Sequence, residues 1–230
     1  MAFVFLLVAL SLLNVHLLEG ARTSKRIVNP KRDWEIDTNA MLQANPFAVK
    51  PERLIERAKE IIDNELGLLN PDDLAEDFTF QFPIIGPLNK NEYITAVKGF
   101  QIKEAFPDLT YSYYNFHVDP FETNRVWAHV LFRGTHTGVS VLGKPTGKLV
   151  DPPPQAVSFA FNEEGKLIRF TGGYVLDKTI GNTGGLGGIF GILYGIGKPL
   201  PFPEGKPWKP SLRFRFFSFI GQLAQRFSKK

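Results

Sequence analysis

The side chains best suited to acid–base chemistry in this sequence are His129, His136 and Tyr174. A histidine titrates near neutral pH, so His129 could act as a general base, or it could simply be satisfied by a neighbouring group. His136 lies in the segment Gly-Thr-His-Thr-Gly, which is typical of a turn whose residues bond their own backbone. Tyr174 could donate a hydrogen bond to a carbonyl oxygen, or it could pack as a ring. His129 and Tyr174 are therefore the candidate catalytic residues.

Aromatic residues near these positions predict a surface that binds an apolar molecule. Side chains alternate along a strand, which places Trp127 and His129 on one face and the alternate residues from Val126 to Phe132 on the other. By the same rule Tyr111 and Tyr113 share a face. The predicted ligand-binding residues are Tyr111, Tyr113, Trp127, His129, His136 and Tyr174.

Residues 138–145, Gly-Val-Ser-Val-Leu-Gly-Lys-Pro, come within one residue of a phosphate-binding loop. Pro145 lacks the hydroxyl that would bind magnesium, and Pro152–Pro154 prevent the helix that would have to follow. The glycines are therefore expected to form turns. Four histidines, no cysteine and no His-x-x-x-His spacing favour no metal site, and the absence of Gly-x-Ser-x-Gly argues against a serine hydrolase. We expect no cofactor.

Hydrophobic periodicity indicates which elements position these residues. It predicts two amphipathic helices, at residues 50–69 and 89–106. Between them it predicts a short helix that begins at Asn70, followed by a strand at residues 78–82. After Pro107 the period changes to two, which predicts four strands, at residues 109–118, 125–134, 155–162 and 167–176. Helices followed by successive strands predict an α+β domain with an antiparallel sheet.

Five motifs in this region carry a family resemblance. In chain order they are EAFPDLTYSYYNF, NRVWAHVLFRGTHTG, PTGK, QAVSFAFNEEGKLIRF and GGYVLD. Residues 50–178 thereby resemble SnoaL-like proteins of the NTF2-like superfamily, which implies a cone: a curved antiparallel sheet that wraps around helices and leaves a pocket. In the polyketide cyclases of this family, a His and an Asp two residues apart on the last strand do acid–base chemistry. Gly172 and Tyr174 stand at those positions here, so that dyad is missing.

Three functions remain open. The missing dyad and the 21 phenylalanines favour a carrier whose pocket holds a hydrophobic small molecule such as a lipid, pigment or terpenoid. The alternative is a cyclase- or isomerase-like enzyme in which His129 or Tyr174 acts. The third is a non-catalytic homodimeric scaffold that uses the outer face of the sheet. A pocket lined only by apolar and aromatic groups would favour the carrier, whereas carboxylates and histidines inside it would favour the enzyme.

The N-terminus predicts entry into the secretory pathway. Residues 1–20 contain a nearly continuous apolar run that is shorter than the about 20 residues of a membrane span, which favours a signal peptide over a retained anchor. Residues 21–49 form a basic targeting or linker segment with five basic residues and no acid up to Arg32. This resembles the bipartite leader of algae with complex plastids, so a plastid or secreted location is expected; an ordinary flexible basic N-terminus is the alternative.

The basic charge lies at the two ends of the chain. From Asp33 to Glu204 there are 15 basic and 22 acidic residues, whereas Lys206 to Lys230 contain seven basic and no acidic ones. A nucleic-acid-binding protein would carry its basic patch on the folded domain, so we expect no nucleic-acid partner. The Gly/Pro-rich apolar extension, residues 179–210, is expected to pack in the core or line the pocket, with another chain or lipid as alternatives. Residues 211–230 predict a basic amphipathic helix that either lies on an anionic membrane surface or docks onto the domain.

Overall fold

The computed structural model describes residues 26–228, so the predicted signal peptide, residues 1–20, lies outside the described residues. The helices are α1 Thr38–Ala44, α2 Pro51–Asp63, α3 Lys90–Phe100, α4 Ile102–Ala105, α5 Gly188–Gly195 and α6 Leu212–Ser228. The strands are β1 Val28–Asn29, β2 Arg32–Ile36, β3 Leu74–Gln81, β4 Leu88–Asn89, β5 Thr110–Val118, β6 Arg125–Thr135, β7 Leu149–Val150, β8 Gln155–Phe161 and β9 Leu167–Val175. The predicted α+β class is confirmed.

The two predicted amphipathic helices form for local reasons. Pro51 occupies the first turn of α2, where backbone N–H groups have no intrahelical acceptor, so the helix loses no hydrogen bond to the proline. Asn89 and Glu92 form a reciprocal capping box at the start of α3. Gln101, in a left-handed conformation with φ 50°, then splits the predicted second helix into α3 and α4.

The short helix predicted from Asn70 is only a single 3-10 turn, Pro71–Asp73, and β3 begins directly after it. The reason is the buried Asp73 carboxylate, which accepts hydrogen bonds from Arg57 Nη2 at 2.6 Å and Asn64 Nδ2 at 2.8 Å. Asn70 Nδ2 also donates to Asp73 Oδ1, at 3.1 Å, instead of its side chain capping a helix. A paired, buried charge therefore determines this turn.

The main sheet has seven strands in the order β4-β3-β9-β8-β6-β5, with β7 paired to β6. Its neighbours are antiparallel, as predicted, except for β3 and β9, which are parallel. Register shifts interrupt β5 against β6 between Tyr114 and His117, and β8 against β9 between Ala156 and Ser158. Bulges of this kind bend a strand and increase its twist, which accounts for the curvature of the open sheet.

Helices α2 and α3 fill the concave side of the sheet. The first hydrophobic cluster joins Leu54 and Ile61 of α2 and Tyr93 of α3 to the sheet residues Val126 and Phe159, all nearly inaccessible to solvent. Burial of side chains of this size contributes about 1.5–3 kcal/mol each relative to exposure. This core fixes which face of the sheet is inside.

The glycine-rich extension packs against the same domain. Phe190 and Leu193 of α5, together with Ile196 and Leu200, form a second hydrophobic cluster with Phe106. The leading expectation for the extension, core or pocket lining, is therefore what the structure shows. Within residues 26–228, no helix combines the length and apolar character that a membrane span requires.

Candidate functional site

A cavity of about 210 Å³ lies between the concave face of the sheet and helices α3 and α5. Its wall is made of aromatic and aliphatic side chains from six strands and three helices. Among them are Phe80, Tyr93, Phe100, Val130, Phe132, Val157, Phe170, Ile189 and Phe190. None of the lining residues within the described chain is a carboxylate, histidine, lysine or arginine.

Two tyrosines of β5 line this cavity, of which Tyr111 is 52% exposed and Tyr113 is half-buried. Tyr111 and Tyr113 pair with Phe132 and Val130 of β6, so all four side chains project to the concave face. Neither hydroxyl has a hydrogen-bond partner within residues 26–228. Burial, and secondarily Tyr111, raises the pKa of the Tyr113 phenol far above its ordinary value. Tyr113 is therefore a neutral hydrogen-bond donor at physiological pH.

Gln155, the first residue of β8, provides the third polar group. It is buried, and its side-chain oxygen accepts a hydrogen bond from the Gly188 backbone N–H at 2.9 Å. Because a backbone N–H can only donate, the group that faces Gly188 must be the oxygen, which assigns the amide orientation. The Gln155 NH₂ group has no hydrogen-bond partner in the part of the chain that the structure describes. It is left as a donor beside an apolar cavity.

A second cavity of about 290 Å³, which we call the outer cleft, adjoins the first. The two share walls formed by Phe82, Ile85, Ile189 and Phe190. The outer cleft is also lined by Tyr174 of β9 and by Glu204, its one charged lining residue among those described. The shared side chains separate an apolar interior from a cleft that reaches the surface.

The ring of Phe82 lies directly against Gly172 and Gly173 of β9. A Cβ atom built on Gly172 would lie 2.8 Å from Phe82 Cε1, and one on Gly173, whose φ is +77°, would lie 2.7 Å from Phe82 Cδ2. Real Cβ atoms do not approach other atoms this closely. Tyr174 follows a bulge in β9 and is 43% exposed. The two glycines therefore allow β9 to pack closely against Phe82.

The structure places only part of the predicted site in the cavity. Tyr111 and Tyr113 line the interior, and Tyr174 lines the outer cleft. The prediction that Trp127 and His129 face the ligand does not fit the structure, because both lie on the opposite face of β6. His129 packs at the edge of the Tyr114 ring, 5.1 Å between centroids, and Trp127 Nε1 donates to Asp119 Oδ2 at 2.9 Å.

His136 is fully buried outside the cavity, as a structural residue of the loop after β6. Its Nδ1 lies 3.2 Å from Thr146 Oγ1, and its ring packs 5.3 Å from that of Phe106. Burial, and then the nearby Lys198 ammonium, lower the pKa of His136 below its ordinary value. The imidazole is therefore neutral, and no bond to a ligand is available from this position.

The loop at residues 138–145 shows why its glycines are needed. The backbone of Gly138 lies against α4 and donates to Ala105 O at 3.1 Å, and a Cβ there would meet Glu104 O at 1.7 Å. Gly143 has φ +96° in a turn closed by Ser140. Lys198 Nζ donates to Leu142 O at 2.7 Å, which ties this loop to the chain after α5. The expectation that the glycines form turns is met at Gly143, and Gly138 serves a close backbone approach.

Comparisons with known proteins give structural neighbours. No protein-family model matches the chain, and no curated protein matches it in sequence. A proposed SnoaL-like polyketide cyclase from Jannaschia sp. CCS1 superimposes with a TM-score of 0.47 at 16% identity, over 65% of this chain and 95% of that one. AclR, a proposed hydroxylase from Streptomyces galilaeus, superimposes with a TM-score of 0.47 at 16% identity, over 67% of this chain and 91% of that one. An NTF2-like protein of unknown function from Exiguobacterium sp. 255-15 superimposes with a TM-score of 0.35 at 14% identity, over 52% of this chain and 90% of that one.

The structure itself has the parts of the predicted cone: N-terminal helices, an unclosed curved sheet around them, and a cavity between the two layers. In this chain α5 additionally contributes to the wall of the cavity.

Two contributions to the site were missed by sequence reasoning. Gln155 begins a strand whose only other polar residue is Ser158, and a polar residue at this place in a mostly apolar strand was an available sign of a buried amide. Phe82 carried no comparable sign, because its place in the site depends on contacts with β9 far along the chain. Helix α5 belongs to the extension that was expected to pack in the core or line the pocket. Within residues 26–228, no group of three or more His, Cys, Asp or Glu side chains could hold a metal ion.

Proposed function

We propose that this protein binds a neutral hydrophobic small molecule, of the lipid, pigment or terpenoid kind, in the interior cavity of the cone. The observation that carries the proposal is the lining: aromatic and aliphatic side chains, with no ionisable acid–base pair among the described residues. Small-molecule sites are typically apolar with a few placed polar groups. An apolar ligand would give the side chains that line this cavity dispersion contacts that they otherwise lack.

The polar groups at the cavity restrict the ligand further. The Gln155 NH₂ group and the Tyr111 and Tyr113 hydroxyls all offer hydrogens, and Gln155 Oε1 is already used by Gly188. A ligand with an oxygen acceptor, such as a ketone, ester or quinone, would satisfy them. The interior holds about 210 Å³, which is below the about 300 Å³ of common ligand sites. A longer ligand would extend past Phe82 and Ile189 into the outer cleft.

The enzyme alternative has less support in this geometry. His129, its proposed base, lies outside the cone, and Tyr174 lies in the outer cleft. Tyr113 could polarise a carbonyl as a neutral donor, but no described lining residue of the interior could take up a proton at neutral pH. The scaffold alternative would use the outer face of the sheet, where Tyr114 and His129 lie.

Native mass spectrometry of residues 26–230, followed by denaturing extraction, tests the carrier directly. We expect an apolar molecule at near-stoichiometric occupancy, or, for protein stripped of it, saturable binding of the neutral fluorophore N-phenyl-1-naphthylamine. An unoccupied, folded protein that also fails to bind the fluorophore would refute the proposal.

Two variants locate the binding. Ala96→Leu adds a side chain at a buried lining position of α3, and it should weaken fluorophore binding by roughly tenfold or more, because it removes ligand volume. His129→Ala, on the outer face of the sheet, is the control and should bind as the unaltered protein does. If His129→Ala abolished turnover of a polyketide or terpenoid substrate while Ala96→Leu bound normally, the enzyme would be favoured.

A further inference from the structure

Helix α6 exposes large apolar side chains instead of covering them with the domain. Phe214, Phe216, Phe217 and Phe219 are 56–69% exposed, and Leu212 is 80% exposed. Monomeric soluble proteins rarely show such a row of exposed aromatic residues, and a contiguous one marks a contact surface. The expectation that this helix docks onto the domain through its apolar face is therefore not met.

The exposed residues are organised on the helix. At about 100° per residue, Leu212, Phe216, Phe219 and Ile220 fall within an arc of about 100°, which we call the apolar stripe. Arg213 and Arg215 lie at its two edges on the same geometry. Arginine side chains at the edges of an apolar stripe can reach sideways to charged groups while the stripe is buried.

Charge decides which partner fits the stripe. Residues 206–230 carry seven basic and no acidic residues, whereas Asp33 to Glu204 carry 15 basic and 22 acidic ones. Two copies of this helix would repel each other, which argues against a second chain as the occupant. An anionic lipid surface offers both an acyl layer for the stripe and negative headgroups for its arginines.

One aromatic residue just before the helix adds to this surface. Trp208 is 72% exposed, and Lys178 Nζ lies 5.3 Å from the centre of its ring. Tryptophan is enriched at membrane–water boundaries, because its ring is apolar and its N–H can remain hydrated. Lys206 and Lys209 flank it in sequence.

We propose that residues 206–222 form a docking surface for an anionic membrane, with α6 lying in the plane of the headgroups and the apolar stripe turned toward the acyl chains. The outer cleft would then be held near the lipid. Glu204 lines that cleft, and Leu212 follows eight residues later, a span of at most about 29 Å of extended chain. The proposal rests on α6 and does not depend on what the cavity binds.

Co-sedimentation with vesicles tests the proposal, with residues 26–230, which contain both hydrophobic clusters and every described element. Vesicles of phosphatidylcholine with about 30% phosphatidylserine should bind the protein in a salt-sensitive way, and vesicles of phosphatidylcholine alone should bind it far less. Replacing both Arg213 and Arg215 by Gln should weaken binding to anionic vesicles by roughly 25-fold, at about fivefold for each charge.

Two matched pairs of substitutions test the geometry. Phe216→Ser with Phe219→Ser removes two residues of the stripe, which are 60% and 56% exposed, and should weaken binding by roughly tenfold or more. Phe214→Ser with Phe217→Ser removes two rings off the stripe, which are 59% and 69% exposed, and should change binding less than about threefold. All four side chains are exposed, so the fold is retained.

Three results would overturn the proposal. The first is equal binding of the protein to anionic and neutral vesicles. The second is an equal loss of vesicle binding from the Phe216/Phe219 and Phe214/Phe217 double substitutions. The third is a different partner: sedimentation velocity showing a dimer that the Phe216/Phe219 pair dissociates, or binding to soluble poly-glutamate as strong as binding to vesicles. Ligand occupancy of the cavity, read by mass spectrometry, should be unchanged in all these variants, so failure here leaves the proposed carrier function standing.

Discussion

Replacing Tyr93 and Tyr113 separately by Phe removes one hydroxyl each from the wall of the same cavity, with opposite expected consequences. The Tyr93 hydroxyl donates to Leu66 O at 3.1 Å and is buried. The Tyr113 hydroxyl has no partner within the described residues. The same chemical change therefore breaks a structural hydrogen bond in one case and removes a free donor in the other.

The expected magnitudes follow from that difference. Tyr93→Phe leaves the Leu66 carbonyl without its donor in a turn where Leu66 has φ 59°, so the free energy of unfolding should fall by about 1–3 kcal/mol. For a domain of this size that corresponds to a Tm lower by about 2–4 °C per kcal/mol. Tyr113→Phe should change the free energy of unfolding by less than about 0.5 kcal/mol, since no buried partner loses a bond.

Urea denaturation followed by circular dichroism measures both values, and native mass spectrometry of the co-purified molecule supplies the second readout. Tyr113→Phe should lower the affinity for a ligand with an oxygen acceptor by about three- to tenfold, whereas Tyr93→Phe should leave it nearly unchanged. Equal destabilisation by both substitutions would refute the reasoning. It would mean that the Tyr113 hydroxyl is engaged by the protein in solution and is not available to a ligand.

Two further predictions concern the loop after β6. Gly138→Ala should lower the free energy of unfolding, measured by urea denaturation, by about 1–3 kcal/mol or more, because its Cβ would meet Glu104 O. Gly147→Ala is the control, because a Cβ there would meet no atom within 4 Å. It should lower the free energy of unfolding only through the backbone strain of a non-glycine residue at φ +65°, about 1–2 kcal/mol. His136 has a folded-state pKa below its unfolded value, owing to burial and Lys198, so the unfolded chain binds more protons and stability should fall as the pH drops below about 6.5. His136→Gln should flatten this fall between about pH 7 and pH 5 in urea titrations, and an unchanged slope would contradict it.

The local pattern of the sequence was sufficient for the four longer strands after Pro107, but it missed the short strands β1, β2, β4 and β7 and the start of β3 at Leu74. The strand predicted at residues 109–118 is Thr110–Val118, and the one predicted at 167–176 is Leu167–Val175. Alternation is a property of neighbouring residues, so it is visible without knowledge of the fold. It also grouped Trp127 with His129 correctly on one face.

Alternation does not say which face of a strand is inside. The concave face is decided by α2 and α3, whose apolar residues cover Val126 and Ala128, and His129 is left on the outside as a result. The composition of the two faces was the available sign, because Val126 to Phe132 on one face are all apolar. The prediction placed the ligand on the other face because Trp127 and His129 can take part in more kinds of chemistry than aliphatic side chains.

By itself the sequence determined the α+β class, the four longer strands after Pro107, and the basic, aromatic character of the C-terminal segment. These depend on residue type and on spacing of a few residues. Only the tertiary structure decided that Phe82 packs against Gly172 and Gly173, that α5 lines the cavity, and that the stripe of α6 is exposed. Each of these results from contacts, or their absence, between segments distant in the chain, which local periodicity does not encode.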